Sequence, residues 1–452
     1  MSGRLFGTGG VRGVINEDMT SDLALRMGKA IGAVMGGVVA VATDTRISAD
    51  MMKMAVSSGI MAAGADVLDL GVLPTPALQY YVKTHDSVNG GVMITASYSP
   101  PQFNGIRCIS SDGTEASRKE EEMIEARFSE DIPCAPWNSI GDMHRISSAG
   151  EEYVNAVISK VDAEMIRKAG LKVCLDCANG ASYETSPLLL KKLNVRTVTI
   201  NCNPQGESPG HPSEPTEENL KDLLSLTRAT RSNIGIAHDG DAGRCVFATS
   251  EGRYISGDKS LALMSRHALL KDKGTVVTPV SSSSLVEDIV KGSGGSIEYT
   301  AVGSAAVAGR MIETGAVFGG EEDGGLIFPE HQYCRDGCMA IAKMLECIAR
   351  EGPLKSQISK LPVYYKVKRK VDCPDEMKKY VLERIAEESA GERMDNTDGI
   401  KVMFDDGWVL ARPSGKEPAF KILSESKDEE IARTMAEKYE GVVREYLSQG
   451  FN

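Results

Sequence analysis

The sequence predicts an α/β protein assembled from repeated parallel-sheet units and closed by a smaller α+β segment. Three observations predict it. Short β-branched runs alternate with helix-period segments over most of the chain. Aliphatic and small residues dominate while aromatics are only 5%, which suits helices packed on parallel strands. From Val363 the rhythm changes to strands and helices that no longer alternate one for one.

The elements follow in order. Val38–Ala42 reads as a strand, Thr43-Asp44-Thr45-Arg46 as its turn and 49–63 as a Met-rich helix. Leu73-Pro74-Thr75-Pro76 opens a further helix, since proline is tolerated in the first turn. Gly91–Ile94 is an apolar strand running into Thr95-Ala96-Ser97-Tyr98-Ser99, and Pro100-Pro101 then forbids helix. The span 137–150 reads as irregular, and 151–169 as one helix. Leu171–Leu175 is a strand whose turn, Asp176-Cys177-Ala178-Asn179-Gly180, leads to a helix ending near Leu193. Asn233–Ala237 is a strand ahead of His238-Asp239-Gly240-Asp241-Ala242-Gly243-Arg244. Thr249–Gly252 is a turn before a helix over 258–270. Gly274–Val277 is a strand, Thr278-Pro279 its turn, and the next helix ends near Lys291. Apolar residues 316–318 and 326–328 flank Gly319-Gly320-Glu321-Glu322-Asp323-Gly324-Gly325, and a helix from near Met339 closes at Gly352-Pro353. The last segment reads as a strand after Val363, a helix over 376–390, strands near 400–410 and a helix over 428–447. The Thr75-Pro76 and Thr278-Pro279 turns echo one another, a faint sign of repeated modules.

With 452 residues, the chain is too long for a single core, and length alone suggests about three domains. Its 51 basic and 63 acidic residues leave a net charge of −12, which disfavours a general nucleic-acid or anionic-membrane surface. Local basic pockets for phosphate remain open. Met1–Gly7 has no apolar core of a signal peptide and no run is long enough to cross a bilayer, so a soluble cytoplasmic protein is expected. Ten cysteines are scattered. Cys174 and Cys177 fall on or beside a strand with no second pair at zinc spacing, and Cys334 and Cys338 are similarly unsupported, so both pairs read as packing thiols. Six histidines form no metal constellation.

Five turns could carry chemistry. Ser97 lies just beyond a strand end, where α/β folds place their reactive groups; alone it reads as a phosphate carrier, a nucleophile or, the safer choice, a turn former. Asp239 and Asp241 offer hard oxygens for a divalent cation, Mg²⁺ above all, or cap an acidic loop. The carboxylates of 321–323 suit sugar hydroxyls, or simply a tight acidic connection. Arg412, Ser414, Gly415 and Lys416 form either a phosphate nest or a surface turn. Arg12, in the Gly-rich 6–13 turn, can meet a phosphate or lie in a plain N-terminal turn. Neither a Walker A nor a Rossmann glycine fingerprint follows a strand.

Taken in chain order, from the Gly-rich arginine turn through the serine turn, the two-aspartate turn and the Gly-Glu-Glu loop to the terminal 412–416 loop, the five turns resemble the α-D-phosphohexomutase family over essentially the whole chain, including Asp44-Thr45-Arg46, Pro74-Thr75-Pro76 and Asp176–Gly180. The 319–329 version is similar to archaeal phosphomannomutase, phosphoglucomutase and phosphoglucosamine mutase sequences. The resemblance implies four domains around a central cleft: three related α/β domains with mixed sheets, 1–147, 148–252 and 253–360, and a C-terminal α+β domain, 361–452. It further implies that Ser97 carries a phosphoryl group, donates it to a sugar monophosphate and recovers one from a reoriented bisphosphate. Mg²⁺ would be held by Ser97, Asp239 and Asp241, with a sugar 1,6-bisphosphate as activator. Arg12, Arg107 and Arg244 would attend the transfer, Glu321 and Asp323 would hold sugar hydroxyls, and Arg412, Ser414, Gly415 and Lys416 the non-reacting phosphate. The implied partner is a phosphosugar, and the implied assembly a monomer or homodimer.

Several positions depart from the family pattern. Gly243 stands where a third aspartate is usual, Tyr98-Ser99 where His-Asn is usual, and Arg107 where a lysine is usual. Arginine stays protonated and is a poor general base, so Arg107 is not a neutral exchange. Lys416 replaces threonine, Asp323 replaces serine or asparagine, and Gly325 stands where many members have histidine.

Overall fold

The computed structural model describes residues 5–7, 9–415 and 417–449. The chain forms two compact units: residues up to Ser260 together with Asp323–Ser359, and Leu261–Glu322 together with the chain from Lys360 onward.

The first unit holds two mixed sheets. In one, the spatial order is Val11–Val14, Phe103–Ile109, Gly90–Ile94, Val38–Thr43, Asp66–Val72, Met143–Arg145. The last four run parallel, while Phe103–Ile109 is antiparallel to both of its neighbours. In the other, the order is Tyr254–Ile255, Cys245–Thr249, Ile234–His238, Lys172–Asp176, Arg196–Ile200, with the last three parallel. Strands such as Gly90–Ile94 and Ile234–His238 are buried along their whole length, which is why they read as unbroken apolar runs.

In both sheets the third parallel strand to be made lies beside the first, giving the order third, first, second. Each then turns back into an antiparallel strand. The serine turn and the Asp239–Arg244 turn are these two reversals, so they occupy equivalent places. The second unit repeats the order with Phe318–Gly320, Thr275–Pro279 and Ser296–Thr300, and the acidic loop follows Phe318–Gly320. Three modules of one design therefore recur, which the Thr-Pro echo only hinted at.

The same unit contains a five-stranded antiparallel sheet, ordered Tyr365–Asp372, Ala419–Ser426, Gly407–Pro413, Ile400–Phe404, Arg393–Asp395. Helices Asp375–Glu388 and Glu429–Gln449 supply Val381, Ile385, Tyr439 and Val443 to its core. This is the expected α+β segment.

Two expectations change. The single helix over 151–169 is two, Ala149–Ile158 and Ala163–Lys168. The break is held from outside: the Asp162 carboxylate caps Met165 N, the Asp162 N–H donates to Glu346 at 2.8 Å, and Lys343 Nζ donates to Lys160 O at 2.7 Å. The irregular 137–150 span contains an edge strand, Met143–Arg145. Among the described residues no helix is long and apolar enough to cross a membrane.

Helices Ser21–Met35 and Ala49–Ala62 pack at backbone distance through glycines. A Cβ on Gly28 would lie 2.1 Å from Val56 O, and one on Gly59 would lie 2.2 Å from Leu25 O. Gly59→Val is therefore expected to cost about 3 kcal/mol, the upper range of overpacking, read as a lower urea midpoint.

In the second unit Lys401 Nζ donates to Val280 O at 2.8 Å above the Trp408 ring, 4.0 Å from its centroid. Burial lowers this amine to about 8 although Glu425 pulls the other way. Below about pH 8 the buried charge carries its full cost. Between there and the ordinary lysine value of about 10.4 the folded amine is neutral while the unfolded chain still binds the proton. Stability relative to Lys401→Met should thus rise with pH across that window, measured by denaturant titrations of both proteins.

Candidate active site

The serine turn is built around a buried arginine. The Arg46 guanidinium donates to four backbone carbonyls: Ser97 at 2.8 Å, Ser99 at 2.7 Å, Pro100 at 2.8 Å and Phe103 at 2.9 Å. Its Nε donates to the Asp44 carboxylate, which also accepts from Thr95 Oγ1 at 2.6 Å. Thr95 Oγ1 in turn accepts from Ser97 N at 2.8 Å. The consecutive residues 44–46 thus hold a loop fifty residues away in the chain. Ser97 is left with φ +52, a left-handed conformation uncommon for serine that over-determined surroundings sustain at reactive positions.

Ser97 is 2% exposed, and its hydroxyl donates to Asp239 Oδ2 at 2.8 Å. The second turn supplies the carboxylates. Asp239 Oδ1 accepts from Arg244 N at 3.0 Å, and Asp241 Oδ2 accepts from Thr75 Oγ1 at 2.7 Å. Thr75 N also donates to Asp241 O at 3.0 Å, so the Pro74-Thr75-Pro76 helix start anchors this turn. Burial and the neighbouring Asp241 charge push Asp239 up, against Arg244. Burial also opposes the Asp241 charge, but Arg107 and Arg335, with the Thr75 hydroxyl, outweigh it and hold that group low. Two buried carboxylates thus stand close together, one pushed up and one held down, and offer the hard oxygen donors that a divalent cation takes.

Arginines line the same place. Arg107 Nη1 lies 3.6 Å from Asp241 Oδ2, and Arg12 Nη1 donates to Ser99 Oγ at 3.5 Å. Arg244 stacks on the Tyr98 ring, 4.2 Å from its centroid, and pairs with Asp323. Burial, then the like charge of Arg107, brings Arg12 down to about 10. Burial opposes the Arg244 charge too, but Asp323 outweighs it and holds the group protonated. The Nε–H groups of Arg12, Arg107 and Arg244 are all buried and donate to no acceptor among the described residues. Three orphaned cationic donors in one place fit an anion with several oxygens.

The first unit therefore brings together Ser97, Arg12, Arg107, Arg244, Asp239, Asp241 and Asp323. Asp323 Oδ2 is engaged by Arg244, and its Oδ1 accepts from Gly325 N at 3.1 Å. At Gly243 the nearest atom to an added Cβ is Asp241 Oδ1 at 3.8 Å, so packing does not exclude a third carboxylate. The second unit carries Glu321, buried directly after Phe318–Gly320, and Arg412, Ser414 and Gly415 at the end of Gly407–Pro413. Arg412 Nη2 pairs with Asp398 Oδ2 at 3.0 Å, while its Nε–H is buried without an acceptor among the described residues. Lys378 Nζ donates to the Ser414 and Glu417 carbonyls and pins that loop. Lys416 lies outside the described residues.

Sequence reasoning gave no role to Arg335, Arg46, Thr75 or Lys378. Arg335 faces Asp239, Asp241, Arg12 and Arg244 electrostatically, and its only sequence signal was the Arg335-Asp336-Gly337 turn before a helix.

Four family descriptions match the chain in order: phosphoglucomutase/phosphomannomutase α/β/α domain I over 3–133, domain II over 151–252, domain III over 256–365, and the C-terminal domain over 369–441. A phosphoglucomutase/phosphomannomutase of Thermococcus kodakarensis is 41% identical over 96% of this chain and 97% of its own. The chain belongs to this family. A phosphoglucosamine/phosphogalactosamine mutase of Sulfurisphaera tokodaii is 38% identical, covering 98% of this chain and 99% of its own. Among solved structures, a putative phosphomannomutase from Thermus thermophilus superposes with a TM-score of 0.84 at 26% identity, over 98% of this chain and all of that one (100%). A phosphoglucomutase/phosphomannomutase family protein of Burkholderia thailandensis gives 0.88 at 24% identity over 99% and 98%, which speaks for the fold.

Because Arg46 holds the serine turn together, Arg46→Met should strand a buried Asp44 and cost about 3–5 kcal/mol, measured by urea unfolding. The same variant should shift backbone amide signals over 97–103 before it shifts those of the C-terminal sheet.

Proposed function

We propose that this mutase-family chain interconverts hexose 1-phosphates and 6-phosphates, with glucosamine phosphate or mannose phosphate as the leading substrates. The observation that carries this reading is the Ser97 hydroxyl, 2.8 Å from Asp239 and close to three buried guanidinium groups with spare Nε–H donors. Ser97 carries the phosphoryl group, gives it to the free hydroxyl of a sugar monophosphate, and takes back the phosphoryl from the other end once the bisphosphate has turned over. A free 1,6-bisphosphate loads Ser97 at the start.

Phosphoryl transfer asks mainly for positioning and charge neutralisation. Arg46 fixes the serine backbone, and Thr75 fixes Asp241. Arg12, Arg107 and Arg244 meet the transferring oxygens, and Arg107 acts by charge because it stays protonated. A Mg²⁺ ion held by Asp239, Asp241 and the phosphorylated Ser97 would offset the negative charge gathered there; the donor set, hard oxygens beside a phosphate, fits it. Glu321 and Asp323 are the proposed sugar contacts, and Arg412, Ser414, Gly415 and Lys416 the proposed contacts of the resting phosphate, with Asp398 yielding Arg412 to it. The segment 1–147 would then contribute two loops and the segments 148–252, 253–360 and 361–452 one each. A monomer or homodimer serves this chemistry equally.

A second reading is favoured by the combined change at Tyr98, Ser99, Arg107 and Gly243: a paralogue that binds phosphosugars and turns them over slowly or not at all. A pentose-phosphate mutase is a variant of the first reading.

With Mg²⁺ and a glucose, mannose or glucosamine bisphosphate, purified protein should interconvert the 1- and 6-phosphates, and intact mass should show one phosphate mapping to Ser97. Ser97→Ala should lose both, and EDTA should abolish turnover. Absence of turnover with every hexose and pentose phosphate would overturn the mutase reading. A large gain in the Gly243→Asp, Arg107→Lys double variant would instead support the slow paralogue.

A further inference from the structure

The C-x-x-C spacing points to Cys174 and Cys177, but the fold gives Cys177 a different neighbour. Strands Lys172–Asp176 and Arg196–Ile200 are parallel with Asp176 opposite Ile200. Cys177 and Cys202 therefore stand just past the same end of the sheet, and their Sγ atoms are 3.0 Å apart. Cys174 stays within its strand, fully buried, and burial raises its thiol to about 11.

The two residues differ in exposure. Cys177 is wholly buried, whereas Cys202 is partly exposed. The backbone around them is tightly held. Asn179 N donates to Asn201 O at 2.7 Å and Gly180 N to Cys177 O at 2.7 Å, so the turns bearing the two cysteines are already tied. Asp176 adds a side-chain tie, accepting from Asn201 Nδ2 at 3.0 Å. A disulfide needs its sulfurs about 2 Å apart, so closing this pair asks for roughly 1 Å of sulfur movement.

We propose that Cys177 and Cys202 form a redox modification site that a low-molecular-weight disulfide oxidises to an intramolecular disulfide. The exposed partner reacts first. Cys202 gives its proton to solvent, and the thiolate attacks one sulfur of the external disulfide, forming a mixed disulfide and expelling one small thiolate, which takes up a proton. Cys177 then loses its proton and attacks Cys202 Sγ, breaking the mixed disulfide and releasing the second small thiol. Two protein thiols are oxidised, one external disulfide is reduced to two thiols, and no further oxidant is needed. Burial holds the Cys177 thiol well up, which makes it the resolving rather than the attacking sulfur. The bond would lie directly behind the metal-loop candidate, because Ala181 N donates to Gly240 O at 2.8 Å from the turn that Cys177 begins.

The test incubates the folded full-length chain with glutathione disulfide, then denatures and alkylates it with N-ethylmaleimide. At least two of the ten thiols should escape alkylation, the exposed Cys134 being open to a glutathione adduct of its own, and peptide mapping should find Cys177 joined to Cys202. Cys174→Ala should leave that bond intact. Cys177→Ser should instead accumulate a glutathione adduct on Cys202 that dithiothreitol releases, and Cys202→Ser should gain neither bond nor adduct at Cys177. Ten alkylated thiols in the oxidised wild-type chain, or a bond mapping to any other pair, overturns the proposal, and these wild-type readouts stand even if a serine variant fails to fold.

Discussion

The buried Arg46 guanidinium is the contact on which the site rests. A charged group deep in a protein is costly unless its donors are met, and here Asp44 and four carbonyls of one loop meet them. Pro100-Pro101 removes two backbone donors and bars helix, which leaves the loop few internal donors for its carbonyls, and Arg46 meets four of them. The result is a serine whose left-handed backbone aims its hydroxyl at a carboxylate on another sheet. Precision of this kind comes from residues 44–46, which lie in the short connection between strand Val38–Thr43 and helix Ala49–Ala62.

Charge balance explains the rest of the centre. Asp239 and Asp241 are both buried, one pushed up and the other held down, while Arg12, Arg107, Arg244 and Arg335 act on them electrostatically. Among the described residues three guanidinium Nε–H donors of this centre are unmet, beside two buried carboxylates. An anion and a cation brought together would satisfy both sides at once, which is what a phosphoryl group and a divalent ion provide. Arg107 in place of a lysine adds fixed charge and removes a possible base, so any proton transfer has to be found elsewhere.

The repeated strand order gives these contacts a common origin in the fold. In each module the third parallel strand sits next to the first, so its C-terminal end opens at the middle of the sheet. The serine turn and the two-aspartate turn are both reversals at that point, and the acidic loop leaves the corresponding strand in the second unit. One architecture thus offers three equivalent places for polar side chains, and different residue types fill them.

Much of this was legible in the sequence. Apolar runs and helix periods marked most strands and helices because burial of both sheet faces leaves an unbroken signal, and the order of five turns pointed to the family. The broken helix at Ser159–Asp162 was not legible, since it is held by Glu346 and Lys343 from nearly two hundred residues away. Nor were the structural roles of Arg46 and Thr75 or the electrostatic role of Arg335: an arginine bonding carbonyls, a threonine orienting a carboxylate and a distant guanidinium leave no spacing to read. The cysteines show the division most plainly. Chain proximity singled out Cys174 and Cys177, but strand direction sends successive side chains apart, and it is sheet register that brings Cys177 to Cys202. By itself the sequence determined which chemical groups are present and in what order, because composition and local periodicity are properties of neighbours in the chain. Only tertiary structure decided which of them meet, because burial and register act between residues that the chain keeps far apart.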